Sequence, residues 1–146
     1  MTDATNRQCV ADLSADLQGA VARIYRRVRS ETQDDQLGGT QSSVLSHVVK
    51  HGPQALRALS ERERVSPPAM NQTVNALQDA GLVTRRPDPN DGRKVLIAAT
   101  DAGRALTFER RRLKHQWLIT RLEHMTDHER EVLAEAALIF NALAES

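Results

Sequence analysis

Residues 65–100 read VSPPAMNQTVNALQDAGLVTRRPDPNDGRKVLIAAT, and this stretch sets the architecture of the chain. Ser66 is suited to cap a helix, because its hydroxyl can accept a hydrogen bond from an unpaired backbone amide of the first turn. Pro67 suits the first helical position, where the missing N–H has no intrahelical partner to lose. Small and apolar residues at helical spacing predict the buried face: Ala69, Thr73, Leu77 and Ala80.

The end of this helix is predicted at Gly81, which suits the left-handed conformation of a helix C-terminus. Leu82 can then pack back on the helix in a Schellman-type ending. Residues 82–86 and 94–98 are short aliphatic runs that are typical of strands. Residues 87–93, between the two runs, are rich in turn-forming residues. A helix followed by a hairpin with a charged tip predicts a winged helix.

Five further helices are predicted from the spacing of apolar residues. They span residues 12–29, 41–51, 56–62, 100–122 and 126–143, and residues 31–39 are predicted to form a loop. Thr126 and Glu129 match the capping-box pattern at the start of the last helix. The expected fold is therefore mainly α with a small β-hairpin wing (α+β), a winged helix-turn-helix.

Composition restricts the class of protein. The chain has 146 residues, 40% of them hydrophobic and 27% charged, which is ordinary for one soluble domain. A single cysteine cannot form an intramolecular disulfide, and this fits a reducing compartment. The N-terminus lacks the pattern of a signal peptide, and no apolar run has the length of a membrane span. We therefore expect a cytoplasmic protein without a membrane partner.

The charge is distributed unevenly, although the net charge is only +1. Residues 83–115 carry nine Lys and Arg side chains against four Asp and Glu, whereas residues 116–146 carry two against six. A basic middle region followed by an acidic end is typical of a DNA-binding lobe joined to a dimerisation region.

Three motifs follow one another in the central stretch: Leu77-x-x-x-Gly81-Leu82-Val83-x-Arg85, Asp88-x-x-Asp91-Gly92-Arg93 and Thr100-Asp101-x-Gly103. In this order and spacing they resemble the MarR family of bacterial transcription regulators. The resemblance implies a single domain over residues 1–146, in which residues 41–99 form a winged helix-turn-helix lobe that binds DNA. It also implies that helices within residues 10–30 and 104–146 form a homodimer. The turn at Glu63-Arg64 departs from the family, where a small residue is common.

The predicted contact with double-stranded DNA involves the central helix and the wing. Asn and Gln can make paired contacts to adenine in the major groove, although without the wing these residues would be interpreted as an ordinary solvated face. Arg93 suits a narrow minor groove, and Asp91 is expected to hold its guanidinium in an ion pair. Arg85, Arg86 and Lys94 are candidates for phosphate contacts. The full predicted set is Ser66, Pro67, Pro68, Asn71, Gln72, Asn75, Arg85, Arg86, Asp91, Arg93 and Lys94.

A dimer with two such helices should bind an inverted repeat, and we expect a repressor. The resemblance further implies a pocket for a small aromatic or phenolic effector, although its aromatic residues would equally suit core packing. Two further modes of sensing stay open: oxidation of Cys9, placed before the first clear helix, and zinc binding by His47, His51 and His115. The predicted ligand-binding set is Tyr25, His47, His51, Arg112, His115 and Trp117.

Enzymatic motifs do not occur in the sequence. It contains no Gly-rich phosphate loop, no His-Glu-x-x-His and no nucleophile elbow, so we expect neither catalysis nor a cofactor. A winged helix that contacts another protein is a competing hypothesis, because a fold does not determine a function. The Asp91-Gly92-Arg93 turn and the flanking arginines favour DNA over protein as the partner.

Overall fold

The computed structural model describes residues 2–32 and 36–146, with the backbone alone for residues 2–8. This part contains six helices and a small antiparallel sheet, which confirms the expected winged-helix fold. No helix in it is both long and apolar enough to cross a membrane. Residues 33–35 of the predicted loop lie outside the described residues. The elements are α1 (Thr2–Glu31), α2 (Gly39–His51), β1 (Gln54–Ala55), α3 (Leu56–Glu63), α4 (Pro67–Asp79), β2 (Val83–Pro87), β3 (Val95–Ala99), α5 (Asp101–Leu122) and α6 (Asp127–Glu145).

The chain divides into two compact units. The first unit contains residues 1–31 and 113–146, and the second contains residues 32–112. The second unit includes the sheet, helices α2 to α4 and the first half of α5. Its core is aliphatic, and burial of each such side chain contributes roughly 1.5–3 kcal/mol. The largest fully buried side chains are Val44, Leu45, Val48, Leu59, Met70, Val74, Leu77, Val83 and Ile97.

The sheet has the strand order β1–β3–β2, and both pairings are antiparallel. β2 and β3 form the wing, with Val83 opposite Ala99. β1 pairs with β3, with Gln54 opposite Ile97, and this third strand was not predicted. Two residues are too few to show the alternation by which a strand is predicted, so the sequence gives no sign of β1.

Both wing strands begin one residue later than predicted. The N–H of Leu82 donates to the carbonyl of Leu77 (2.9 Å), and the N–H of Gly81 donates to Gln78 (2.9 Å). These two bonds are the predicted Schellman ending, with Gly81 at φ 73°. Leu82 therefore belongs to the end of α4. Lys94 is likewise held in the turn, because its N–H donates to the carbonyl of Asp91 (2.9 Å).

The buried face of α4 differs from the prediction. Met70, Val74 and Leu77 are fully buried, whereas Ala69 and Ala80 are exposed and Thr73 is half-buried. The helix is turned by about one residue from the predicted face, because larger aliphatic side chains remove more apolar area from water than alanine does. Of the predicted positions, only Leu77 belongs to the core.

The first helix also differs, because α1 begins at Thr2 instead of residue 12. Its first turns carry no apolar stripe, so the sequence pattern does not reveal them. Cys9 consequently lies within α1, where it is exposed, and not before the helix as predicted. At the other end of the chain, Thr126 and Glu129 form the predicted capping box of α6.

Candidate nucleic-acid interface

The turn between α3 and α4 positions the second helix. Arg64 adopts the left-handed conformation (φ 55°), and the N–H of Val65 donates to the carbonyl of Ser60 (3.1 Å). The turn thus has the geometry that a glycine usually provides, with an arginine in its place. Ser66 then caps α4 as predicted, since its Oγ accepts from the N–H of Ala69 (3.3 Å).

A polar cluster holds this turn against α2. The Oγ of Ser43 donates to Oε1 of Glu63 (2.6 Å), and Nη1 of Arg62 donates to the same Ser43 Oγ (3.1 Å). Arg62 and Glu63 also form an ion pair. Sequence reasoning identified Glu63 only as a departure from the family and missed Ser43, which lies 20 residues away. The cluster supports the helix-turn-helix and does not belong to its exposed face.

The outward face of α4 begins with polar and proline residues. All five predicted positions on it are exposed: Pro67, Pro68, Asn71, Gln72 and Asn75. Asn71 is additionally bonded to the wing, since its Oδ1 accepts from Nη2 of Arg85 (2.8 Å). Nη1 of the same arginine donates to Oε1 of Gln78. Gln78 was missed by sequence reasoning, although its position two helical turns after Asn71 places it on the same face.

The tip of the wing is built by carboxylates that bind backbone amides. Oδ1 of Asp91 accepts from the N–H of Arg93 (3.1 Å), and Oδ1 of Asp88 accepts from the N–H of Asn90 (2.9 Å). The predicted ion pair of Asp91 with the Arg93 guanidinium is not formed in the described structure, because that carboxylate bonds the backbone instead. Arg93 and Lys94 are exposed. The wing therefore presents cations at its surface, while its acids stabilise the turn.

Three residues of the predicted ligand set lie in the second unit. The rings of His47 and His51 are 4.5 Å apart, and partial burial lowers the pKa of His47, helped by the charge of Arg62. The guanidinium of Arg112 makes a two-fold hydrogen bond to Glu109 (2.7 and 2.9 Å), which lowers the pKa of that carboxyl. In residues 2–32 and 36–146, no three His, Cys, Asp or Glu side chains lie in an arrangement that could hold a metal ion.

The other three residues of that set, Tyr25, His115 and Trp117, lie in the first unit. Tyr25 and His115 are exposed, and the guanidinium of Arg121 lies 3.9 Å above the ring of Trp117. Within the described part of the chain, Nε1 of Trp117 is buried without a hydrogen-bond partner. Trp117 also lines an open apolar cavity of about 610 Å³. The cavity is otherwise formed mainly by Ile24, Leu118, Leu122, Leu133 and Phe140.

A capped helix with an exposed polar face, beside a hairpin with a basic tip, defines a winged helix-turn-helix protein. Residues 35–94 match the family model of the MarR family. The chain is 36% identical over 135 residues to a helix-turn-helix-type transcriptional regulator of Mycobacterium bovis, with 92% of this chain and 94% of that protein covered. The chain belongs to the MarR family of transcriptional regulators.

Two further similarities were found, one in sequence over half of the chain and one in fold. The chain is 34% identical over 73 residues to the transcriptional repressor NicR of Pseudomonas putida, with 50% of this chain and 46% of NicR covered. A MarR family protein from Bacillus stearothermophilus superimposes with a TM-score of 0.82 at 20% identity, with 96% of this chain and 98% of that chain covered. The relatives found by sequence are named transcriptional regulators, which fits the expectation of no catalysis. The DNA-contact residues and the domain boundaries stay predictions.

Proposed function

We propose that this regulator binds double-stranded DNA sequence-specifically as a homodimer and acts as a repressor. The observation that carries the proposal is the wing tip, where Asp91 fixes the backbone of Arg93 and leaves the guanidinium exposed. Such an arginine is suited to the negative potential of a narrow minor groove. A wing that contacts protein would not require this arrangement.

The exposed N-terminal half of α4 supplies the major-groove part of the proposal. Recognition helices contact base edges mainly through their N-terminal residues, and here those residues include Asn71 and Gln72, while Asn75 follows one turn after Asn71 on the same face. Ser66, Pro67 and Pro68 form the helix N-terminus, where the backbone dipole favours an anion. The two prolines have no N–H and the amide of Ala69 bonds to Ser66, so a phosphate there would be bound by the dipole and the Ser66 hydroxyl. Arg86 and Lys94 are exposed on the wing and suit phosphate contacts that add affinity without base preference.

The dimer is supported by apolar side chains that the first unit leaves uncovered. No residue of α6 is buried. Exposed apolar surface of this extent marks an interface. We propose that a second copy of the chain packs against it, through the helices of residues 10–30 and 104–146. The exposed apolar residues on α1 and α6 are Val10, Leu13, Val21, Ile24, Tyr25, Val132, Leu133, Leu138, Ile139, Phe140 and Leu143.

Repression by the dimer is supported by the similarity to NicR, which is named a repressor. Release by a small aromatic or phenolic anion is the second part of the proposal. It is supported by the buried Nε1 of Trp117, which is without a partner in the described residues and could donate to an anionic oxygen. Benzoate and 4-hydroxybenzoate, an aromatic and a phenolic anion, test this part directly when they are added to a preformed protein–DNA complex. Retention of the complex at millimolar concentrations of both would contradict it.

A gel-shift titration tests DNA binding itself. The protein is titrated against the DNA upstream of its own gene and against an unrelated duplex of equal length, at about 50 and about 200 mM salt. We expect retardation of the upstream fragment alone, with a steep loss of affinity at the higher salt, because bound cations displace counterions from phosphates. Absence of binding to either duplex at low salt would favour a protein partner instead of DNA.

A further inference from the structure

The helix that faces the major groove contains no Lys or Arg, since α4 reads PPAMNQTVNALQD. The cation beside it comes from the wing: Arg85, on β2, donates to Asn71 and to Gln78, two turns apart on the same helix. A single side chain therefore ties the wing to the outward face of α4. This contact is absent from the sequence prediction, which assigned Arg85 to a phosphate.

The contact has a defined polarity. A guanidinium has only donors, so the atom of Asn71 that faces Arg85 at 2.8 Å must be the amide oxygen. The NH₂ group of Asn71 then points away from Arg85. A base that approaches Asn71 therefore meets the NH₂ group, which is a donor. Beside the amide oxygen it also meets the N–H groups of Arg85, which are donors as well.

This polarity affects the base that Asn71 can read. The oxygen of Asn71 has two lone pairs, and Arg85 occupies one of them. A paired contact to adenine, which presents N7 as acceptor and N6–H₂ as donor, needs the other lone pair together with the NH₂ group. Beside Arg85 the N6–H₂ group would face further donors. Guanine presents two neighbouring acceptors, N7 and O6, and suits the NH₂ group of Asn71 together with the positive field of Arg85.

We infer that Arg85 is a positioning residue that fixes Asn71 as a donor and so gives the operator a preference for guanine over adenine at the base pair that Asn71 faces. The inference rests on the proposed DNA binding and extends it to base preference. Arg85 acts here through Asn71 and need not touch a phosphate.

The test begins with a pool of duplexes that carry a randomised centre of about 20 base pairs, or two helical turns. The wild-type protein selects its site from this pool, and each base pair of the selected site is then exchanged in turn. Arg85→Ala, Arg85→Lys and Arg86→Ala are titrated against the same set at several salt concentrations. Arg86, the next residue on β2, is exposed and serves as the matched arginine control.

In Arg85→Ala both lone pairs of the Asn71 oxygen are free and the neighbouring guanidinium N–H groups are gone, so we expect the guanine-to-adenine preference at one symmetric base pair to fall at least about fivefold. The preferences at other base pairs and the slope of log K against log salt should stay unchanged. Arg85→Lys should not restore the preference, because one ammonium cannot reproduce the fork to Asn71 and Gln78. Arg86→Ala should weaken all duplexes alike and reduce the salt slope by about 1. Relative preferences do not depend on the folded fraction, so partial destabilisation of a variant leaves the readout intact.

A double variant completes the test. Once Asn71→Ala is present, Arg85→Ala should produce no further change in base preference, since the side chain through which Arg85 acts is gone. If Arg85→Ala instead weakens all duplexes equally and reduces the salt slope, Arg85 is a phosphate contact and the inference is overturned, while the proposed function stands. If the wild-type protein selects no site from the pool, the proposed function fails first and the inference fails with it.

Discussion

The Oγ of Thr100 donates a 2.6 Å hydrogen bond to the carbonyl oxygen of Gly81 and accepts one from the N–H of Gly103 (3.1 Å). One hydroxyl thus joins the end of α4 to the start of α5. The same approach excludes a side chain at Gly103, where a Cβ would lie 2.1 Å from the carbonyl oxygen of Leu82. The motif Thr100-Asp101-x-Gly103 therefore has a structural role: it packs α5 against the turn between α4 and β2.

Thr100→Ala should destabilise the protein by about 1 kcal/mol, because the variant loses a helix cap and leaves the Gly81 carbonyl without this donor. Urea unfolding followed by circular dichroism measures the difference. Thr100→Ser keeps the hydroxyl and is the matched control, which should retain most of the stability. Equal stability of wild type and Thr100→Ala would show that water replaces the hydroxyl without cost.

His47 should make stability depend on pH. Its pKa in the folded protein lies below the ordinary value of 6.5, so on acidification the unfolded chain takes up a proton before the folded one does. The contribution of His47 to the free energy of unfolding is fully present above about pH 6.5, and it decreases as the pH falls towards the pKa of His47 in the folded protein. His47→Gln should reduce the loss of unfolding free energy between about pH 8 and about pH 5.5. His128→Gln, a change at an exposed histidine of α6, is the control, and an identical pH profile in all three proteins would contradict the prediction.

Arg93→Ala should weaken binding to the selected operator by at least about 1 kcal/mol, or about fivefold, because the minor-groove contact is lost. Fluorescence anisotropy with a labelled duplex gives the affinity. Arg27→Ala removes an exposed arginine of α1 that pairs with Glu31 (2.8 Å), so it controls for the loss of one positive charge. Unchanged affinity of Arg93→Ala would show that the wing tip does not contact DNA.

Phe140→Glu should convert the proposed dimer to a monomer, because it places a charge on the uncovered apolar face of α6. Size-exclusion chromatography with light scattering reports the mass. Operator affinity should fall on the order of a hundredfold, since two linked recognition helices bind far better than one. Glu131→Lys changes a charge on the same helix and should leave the dimer intact. A wild-type protein that elutes as a monomer at micromolar concentration would contradict the proposed assembly.

The wrong or incomplete predictions have different causes. The buried face of α4 is readable from the sequence, because Met70, Val74 and Leu77 lie at the i, i+4, i+7 spacing of one helix face and are larger than the predicted Ala69 and Ala80. β1 forms because residues 54–55 pair with the edge of β3, which lies about 40 residues later in the chain. The carboxylate of Asp91 had two candidate donors within Arg93, and only the geometry of the turn selects the backbone N–H.

The sequence alone determined the features that depend on neighbours along the chain. The Ser66 cap, the Gly81 ending, the Thr126 capping box and the wing turn all form between residues at most a few positions apart, so residue type and spacing specify them. Tertiary structure decided the pairing of Arg85 with Asn71, 14 residues apart, and of Ser43 with Glu63, 20 residues apart. Such pairs arise only when packing of the aliphatic core brings separate elements together. The hydrophobic effect that drives this packing is non-directional. The composition of the core therefore predicts that the elements pack together, but not which polar groups come into contact at their edges.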